Sequence, residues 1–208
     1  MGRVAILVLI TAGWCAAAAA ADAPGGGHLV LNGGGDKPRV VMEKFVELAG
    51  GAEGEIVVFP TASGQEDTGD YYRDLLSEEY GCRQVLVADV ETRDEAQDRD
   101  LAARVERAGG VFFAGGDQRR ITSALLGTPV GDAVAAVWRR GGVVGGTSAG
   151  TACQSPLMIT GDGDFTVLRA ANVELIDGLG LLPGVIVDQH FVARQRQNRL
   201  IAVVLEHP

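Results

Sequence analysis

The sequence predicts an α/β fold: a mostly parallel sheet with helices on both faces. Three observations predict it. Apolar runs without polar alternation recur along the chain, as in strands buried on both sides. Amphipathic stretches of helical length separate those runs. Several runs lead straight into glycine loops, at the carboxyl ends of the strands, where open α/β sheets hold their ligands.

The elements follow in order. "HLVLNGGGD", from His28, is a strand running into a glycine loop, and "PRVVMEKFVELAGG" is an amphipathic helix ending on glycine. "EIVVFPTAS" is a second buried strand, and "DTGDYYRDLLSEEYG" a helix with acidic residues in its first turn. "RQVLVAD" is a third strand, followed by a charged helix in "RDEAQDRDLAARVERAGG" that presents a solvated face. "VFFAGGDQ" is a fourth strand with its own glycine loop, and "RRITSALLG" and "VGDAVAAVWRR" are helical. A short strand in "GGVVGG" ends the series.

Composition bounds the function. The chain has 208 residues, 47% hydrophobic and 22% charged, which suits one domain with a substantial core. Residues 1–21 read as a secretory signal peptide. Arg3 is the positive start, "VAILVLITAGW" is too short an apolar run to span a bilayer, and "CAAAAAA" supplies small residues for cleavage near Ala21. Residues 22–27 form a flexible lead-in, and 28–208 a single α/β domain, exported after cleavage. Loss of Arg3 with the leader takes the net charge from −9 to −10. So acidic a chain repels nucleic acid and anionic membranes. Export permits a disulfide between Cys82 and Cys153, which spacing alone does not establish. Three histidines without a C-x-x-C or H-E-x-x-H pattern leave no metal site, and no motif calls for a cofactor. "GDGD" at 161–164 lacks the later ligands of a calcium loop and reads as a turn.

The chemistry concentrates at "GGTSAGTA", residues 145–152. Gly146, Ser148 and Gly150 make G-x-S-x-G directly after a predicted strand. On a sharp strand-to-helix turn, small neighbours lift a serine Oγ clear of the sheet, the geometry of a nucleophile elbow. In a chain with 30 glycines the pentapeptide alone decides nothing, so its context must. A serine nucleophile needs a base, and the choice lies among His28, His190 and His207. His28 precedes the first strand, at the wrong end of the sheet, and His207 is next to the last residue. His190 follows the apolar run "LLPGVIVD", which reads as a strand, so it falls where the functional loops gather. By elimination His190 is the base. The absence of a G-x-x-x-x-G-K-[ST] motif turns the glycine loops away from phosphate and toward an oxyanion hole.

Taken together, "FFAGGDQRRI", "GGTSAG" and "GLGLLPGVIVDQHFVARQRQNRL" resemble the cyanophycinases and related aspartyl dipeptidases. These are serine peptidases with a class I glutamine amidotransferase-like fold, a flavodoxin-like three-layer arrangement. The resemblance runs from about residue 28 to the end, and its most specific part is the long C-terminal motif. It implies Ser148 as nucleophile, where related glutaminases carry cysteine, and His190 as general base. The N–H of Ala149 and that of Gly116 or Asp117 would hold the oxyanion. Gln118, Asp188, Gln189, Arg194, Arg196 and Arg199 would belong to the substrate pocket. The third catalytic member would be a carboxylate between serine and histidine. Asp164 is the first choice and Glu174 the second, with Asp162 and Asp177 also in that stretch.

The implied activity is hydrolysis of cyanophycin, a polyaspartate with arginine on each side chain, to β-Asp-Arg dipeptides. The alternatives are a dipeptidase acting on short Asp-X peptides and a catalytically silent binding protein on the same fold. An α/β-hydrolase esterase shares the elbow, but the chain has no HGGG-type motif. A peptide or cyanophycin-like polymer is the expected partner, and a homodimer is left open. The chain stops at "VVLEHP", where the resemblance implies a further strand region, so either a fragment or a shortened member is expected.

Overall fold

Strands with consecutive apolar residues, which point to alternate faces, demand cover on both sheet faces. The computed structural model, which describes residues 26–162 and 171–207, meets that demand. Its main sheet has five parallel strands: β1 (His28–Asn32), β2 (Glu55–Phe59), β3 (Gln84–Val87), β4 (Gly110–Phe113) and β5 (Val143–Thr147). Their order is β1-β5-β4-β2-β3.

Alternate residues of each strand feed two separate cores. Val57 and Phe59 of β2, with Val111 and Phe113 of β4, pack on one face. Ile56 and Val58, with Phe112, pack on the other. Helices α1 (Arg39–Leu48) and α2 (Thr68–Asp74) cover the second face through Met42, Phe45, Val46 and Tyr72. Helices α3 (Arg99–Arg107), α4 (Gln118–Leu125) and α5 (Pro129–Arg139) cover the first. Connections β1 to β2 to β3 move one way along the sheet and use one face, while β3 to β4 to β5 return by the other. A right-handed crossover rule produces that division. The loops after β2 and β4 therefore leave adjacent strands toward opposite faces and open a crevice between them, the usual ligand position in such sheets.

Side-chain caps mark several helix starts. Asp98 accepts from the N–H groups of Asp100 and Leu101 at 2.8 and 3.1 Å, and Thr128 accepts from Gly131, with Pro129 in the first turn of α5. The second helix departs from expectation, since beyond Asp74 it widens into a π-helical turn over Leu75–Glu79. Cys82 and Cys153 are both free and buried, in the cores on opposite faces of the sheet, which separates them.

The C-terminal part corrects one expectation. "LLPGVIVD" is not a strand of the sheet. Val187 donates to Ser155 Oγ at 3.0 Å, and His190 donates to the Gly33 carbonyl at 2.7 Å. The run turns at Pro183 and Gly184 and is continuously buried only from Ile186 to Asp188, where its backbone groups take partners outside any ladder. The strands here are instead β6 (Leu157–Ile159) and β7 (Leu175–Asp177), an antiparallel pair. The last helix, α7, spans Gln197–Glu206. It packs Ala202 and Val203 against Ile159, Val173 and Ile186. No single helix among the described residues is long and apolar enough to cross a membrane.

Candidate active site

The elbow is built by close packing. Strand β5 ends at Thr147, and the short helix α6 (Ala149–Ala152) starts one residue later. A Cβ on Gly146 would lie 2.2 Å from the Gly150 carbonyl oxygen, and one on Gly150 would lie 2.2 Å from that of Phe113. Both glycines are thus required for α6 to sit on β5 and β4. Ser148, between them, holds φ 53° and ψ −109°, a conformation L-residues rarely adopt. Its N–H donates to the Asn32 carbonyl at 2.9 Å, and the Thr151 hydroxyl donates to the same carbonyl at 2.7 Å. The turn is pinned to the end of β1.

His190 is pinned beside it. Its φ is also positive, 51°, and its N–H is held by the carbonyl of Gly33, the residue after Asn32. Gly34 closes on the imidazole so tightly that a Cβ there would lie 2.3 Å from Cε1. The result is a distance of 2.9 Å between Ser148 Oγ and His190 Nε2. Burial is the main cause holding His190 below the usual histidine range, and the charges of Arg194, Arg196 and Arg199 add to it. A neutral imidazole against a serine hydroxyl can accept its proton.

Of the expected oxyanion donors, Ala149 follows Ser148 directly. The Ala149 N–H opens α6 and has no intrahelical partner, as at any helix start. Gly115 lies against Ser148, since a Cβ there would be 3.5 Å from the serine Cβ, and Gly116 follows. Asp117 is excluded as the second donor, because its N–H is taken by the Ala62 carbonyl at 2.8 Å. Its side chain caps α4 and pairs with Arg119 at 3.0 Å, which in turn reaches Asp162 at 2.6 Å.

The expected pocket residues divide into two groups. A cavity of about 660 Å³ opens over Ser148 and His190, and Gln118, Gln189, Arg194 and Arg196 line it. Gln118 is buried and fixed by donation to the Ile159 carbonyl at 2.7 Å. Asp188 and Arg199 lie behind the cavity. Both are buried, and the Arg199 guanidinium grips both oxygens of the Asp188 carboxylate. Arg196 is 3.8 Å from the same carboxylate and donates to both the carbonyl and Oε1 of Gln189. The expectation of substrate contact from Asp188 and Arg199 is therefore corrected: neither lines the cavity, and paired with each other they brace the segment that carries His190. Burial and Arg199 push Arg196 down to about 10, against the opposing pull of Asp188.

Asp164 lies outside the described residues. Among those described, no carboxylate bonds the His190 ring. Glu174 is exposed and its charge acts on Arg119, while Asp162 is paired with that arginine. No cluster of three His, Cys, Asp or Glu side chains that could hold a metal occurs among the described residues.

Sequence reasoning missed the opposite wall. Lys37 of the loop after β1, Ser63 and Gln65 of the loop after β2, and Asp67 and Tyr71 at α2 also line the cavity. The strand-end position of Lys37 and Ser63 was the available signal, since both follow β-strands at their carboxyl ends.

The model of peptidase family S51 matches residues 29–208. Cyanophycinases from Synechococcus elongatus and Trichormus variabilis are each 37% identical to this chain, over 184 and 185 residues and 86% of its length. Those alignments cover 57% and 61% of the two relatives, so this chain spans less than two thirds of their length. A solved structure described as a peptidase from an acI-B1 Actinobacterium shares the fold. It has a TM-score of 0.68 and 21% identity, over 85% of this chain and 75% of that one.

Proposed function

The chain belongs to peptidase family S51, and from that premise we propose that it is a serine peptidase of cyanophycinase type, cleaving cyanophycin to β-Asp-Arg dipeptides. The single observation that carries the reading is the 2.9 Å approach of Ser148 Oγ to His190 Nε2 beneath the cavity. His190 accepts the hydroxyl proton as Ser148 attacks the scissile carbonyl. The Ala149 and Gly116 N–H groups stabilise the oxyanion, donors whose removal in comparable sites costs about 3–4 kcal/mol of barrier. The imidazolium then returns its proton to the leaving amine, and water repeats the cycle on the acyl-enzyme. Asp164 is the proposed carboxylate that orients the imidazole, with Glu174 the alternative.

Export is part of the same reading. Residues 1–21 act as a cleaved leader, and the mature protein meets its polymer outside the cytoplasm, where an acidic surface keeps it clear of nucleic acid. The test is a comparison of substrates. The mature protein is incubated with cyanophycin, with Asp-X dipeptides and with a neutral activated ester. Release of β-Asp-Arg from the polymer supports the proposal. Cleavage of the dipeptides alone reassigns it as a dipeptidase, and no cleavage of any substrate contradicts it.

A further inference from the structure

The chain contains only two lysines against 16 arginines, so the place of each lysine is informative. Lys44 is on the outer face of α1, paired with Glu47 at 2.7 Å. Lys37 is in the cavity. Its Nζ sits over the rings of Tyr71 and Tyr72, 5.1 and 5.4 Å from their centroids, and 3.4 Å from the Tyr71 hydroxyl. No carboxylate among the described residues lies in salt-bridge range of it. By contrast Arg119 and Arg196, on the same cavity, are both committed to aspartates, and the third arginine there, Arg194, sets its charge against the His190 imidazole. Of the cavity's acids, Asp117 is held by Arg119, and Asp67 stands at the start of α2.

An ammonium on two aromatic faces is held in place without losing its charge, because the rings attract it through their quadrupoles and form no ion pair. Three donors radiate from such a nitrogen, and at most one is used by the Tyr71 hydroxyl. The aromatic pair is itself fixed. Tyr72 is buried in the core against Phe112, and Tyr71 meets Tyr72 edge-on with centroids 5.1 Å apart. In a protein of net charge −9, a cation left without an acid is a local reversal of the field and attracts anionic groups.

We propose that Lys37, seated on Tyr71 and Tyr72, is a specificity residue that binds a substrate carboxylate in the cavity over Ser148. The assignment rests on the peptidase reading for the nature of the substrate and deepens it. The cavity selects a peptide bearing a free carboxylate, such as that of an arginyl group on an aspartyl backbone, over the corresponding amide.

The test separates binding from turnover. Calorimetric Kd values are measured on the Ser148→Ala protein for a β-Asp-Arg-containing peptide and for its arginyl carboxamide, with Lys37 in place and as Lys37→Met and Lys37→Arg. The Met substitution should weaken the acid at least tenfold and the amide less than twofold, and the Arg substitution should recover part of the loss. Equal weakening of acid and amide, no weakening of either, or no binding of the acid overturns the assignment. Turnover by the protein carrying Ser148 is followed on the same two peptides. Selective binding of the acid without turnover contradicts the peptidase reading while leaving Lys37 as a carboxylate site. Turnover that ignores the difference between acid and amide removes Lys37 and leaves the peptidase reading intact.

Discussion

Ser148 and His190, 42 positions apart, hang from consecutive carbonyls: the N–H of Ser148 donates to Asn32 and that of His190 to Gly33. One dipeptide at the end of β1 thus sets the spacing of nucleophile and base. Both residues hold positive φ, near 50°, and are kept there by the surrounding structure.

That strain gives the first prediction. Ser148→Ala should lower kcat/KM by about 10³-fold or more, since nucleophile and base act as a unit. Ser148→Gly should be equally inactive yet more stable than Ser148→Ala by about 1–3 kcal/mol, because glycine tolerates the conformation that strains alanine. Denaturant midpoints of the two variants check the difference, and equal midpoints would mean that the elbow stores no strain.

Gly34 provides the second. The space a methyl group would occupy there is already filled by the His190 ring, and its φ of 102° disfavours any side chain. Gly34→Ala should therefore displace the base. A fall in kcat of tenfold or more, with unchanged KM, is the expected result in steady-state kinetics. Wild-type kcat would show that the ring is not held by this contact.

The third concerns pH. Burial and the charges of Arg194, Arg196 and Arg199 depress His190, and the base must be neutral to accept the serine proton. The acid limb of kcat/KM should then have its midpoint below the ordinary histidine value of about 6.5. Arg194→Met removes the exposed one of these three charges and should move that midpoint upward. A limb at or above 6.5 in the unaltered protein, or one that Arg194→Met moves downward, would contradict this electrostatic account.

Much of this was legible in the sequence, and what was not has physical causes. The five parallel strands and their intervening helices follow from runs apolar on both faces, and the elbow from glycines that packing makes necessary. His190 could be chosen by elimination, but its setting could not. An apolar run such as "LLPGVIVD" reports burial, and burial does not reveal that Val187 bonds a serine side chain instead of a neighbouring strand. The resemblance implies Arg199 as a pocket residue, and nothing in the sequence shows that its charge is met inside the protein. Its partner, Asp188, is 11 positions away and equally buried, which only the fold discloses. Lys37 escaped notice because a single lysine after a glycine loop carries no pattern.

The buried cluster yields the fourth prediction. Asp188 faces two arginines, so Asp188→Ala removes the carboxylate that balances their buried charges and should destabilise the fold by about 3–5 kcal/mol. Thermal or denaturant unfolding measures the loss. A change below about 1 kcal/mol would return Arg196 and Arg199 to solvent, against the burial seen here.

The central claim is that Ser148 is a nucleophile activated by His190. It is tested most directly by covalent labelling of the mature protein with a serine-directed fluorophosphonate, followed by peptide mapping in a mass spectrometer. The account predicts a single adduct on Ser148, formed at a rate that falls by orders of magnitude in His190→Ala. An unlabelled Ser148, or labelling that proceeds equally well without the imidazole, would contradict it.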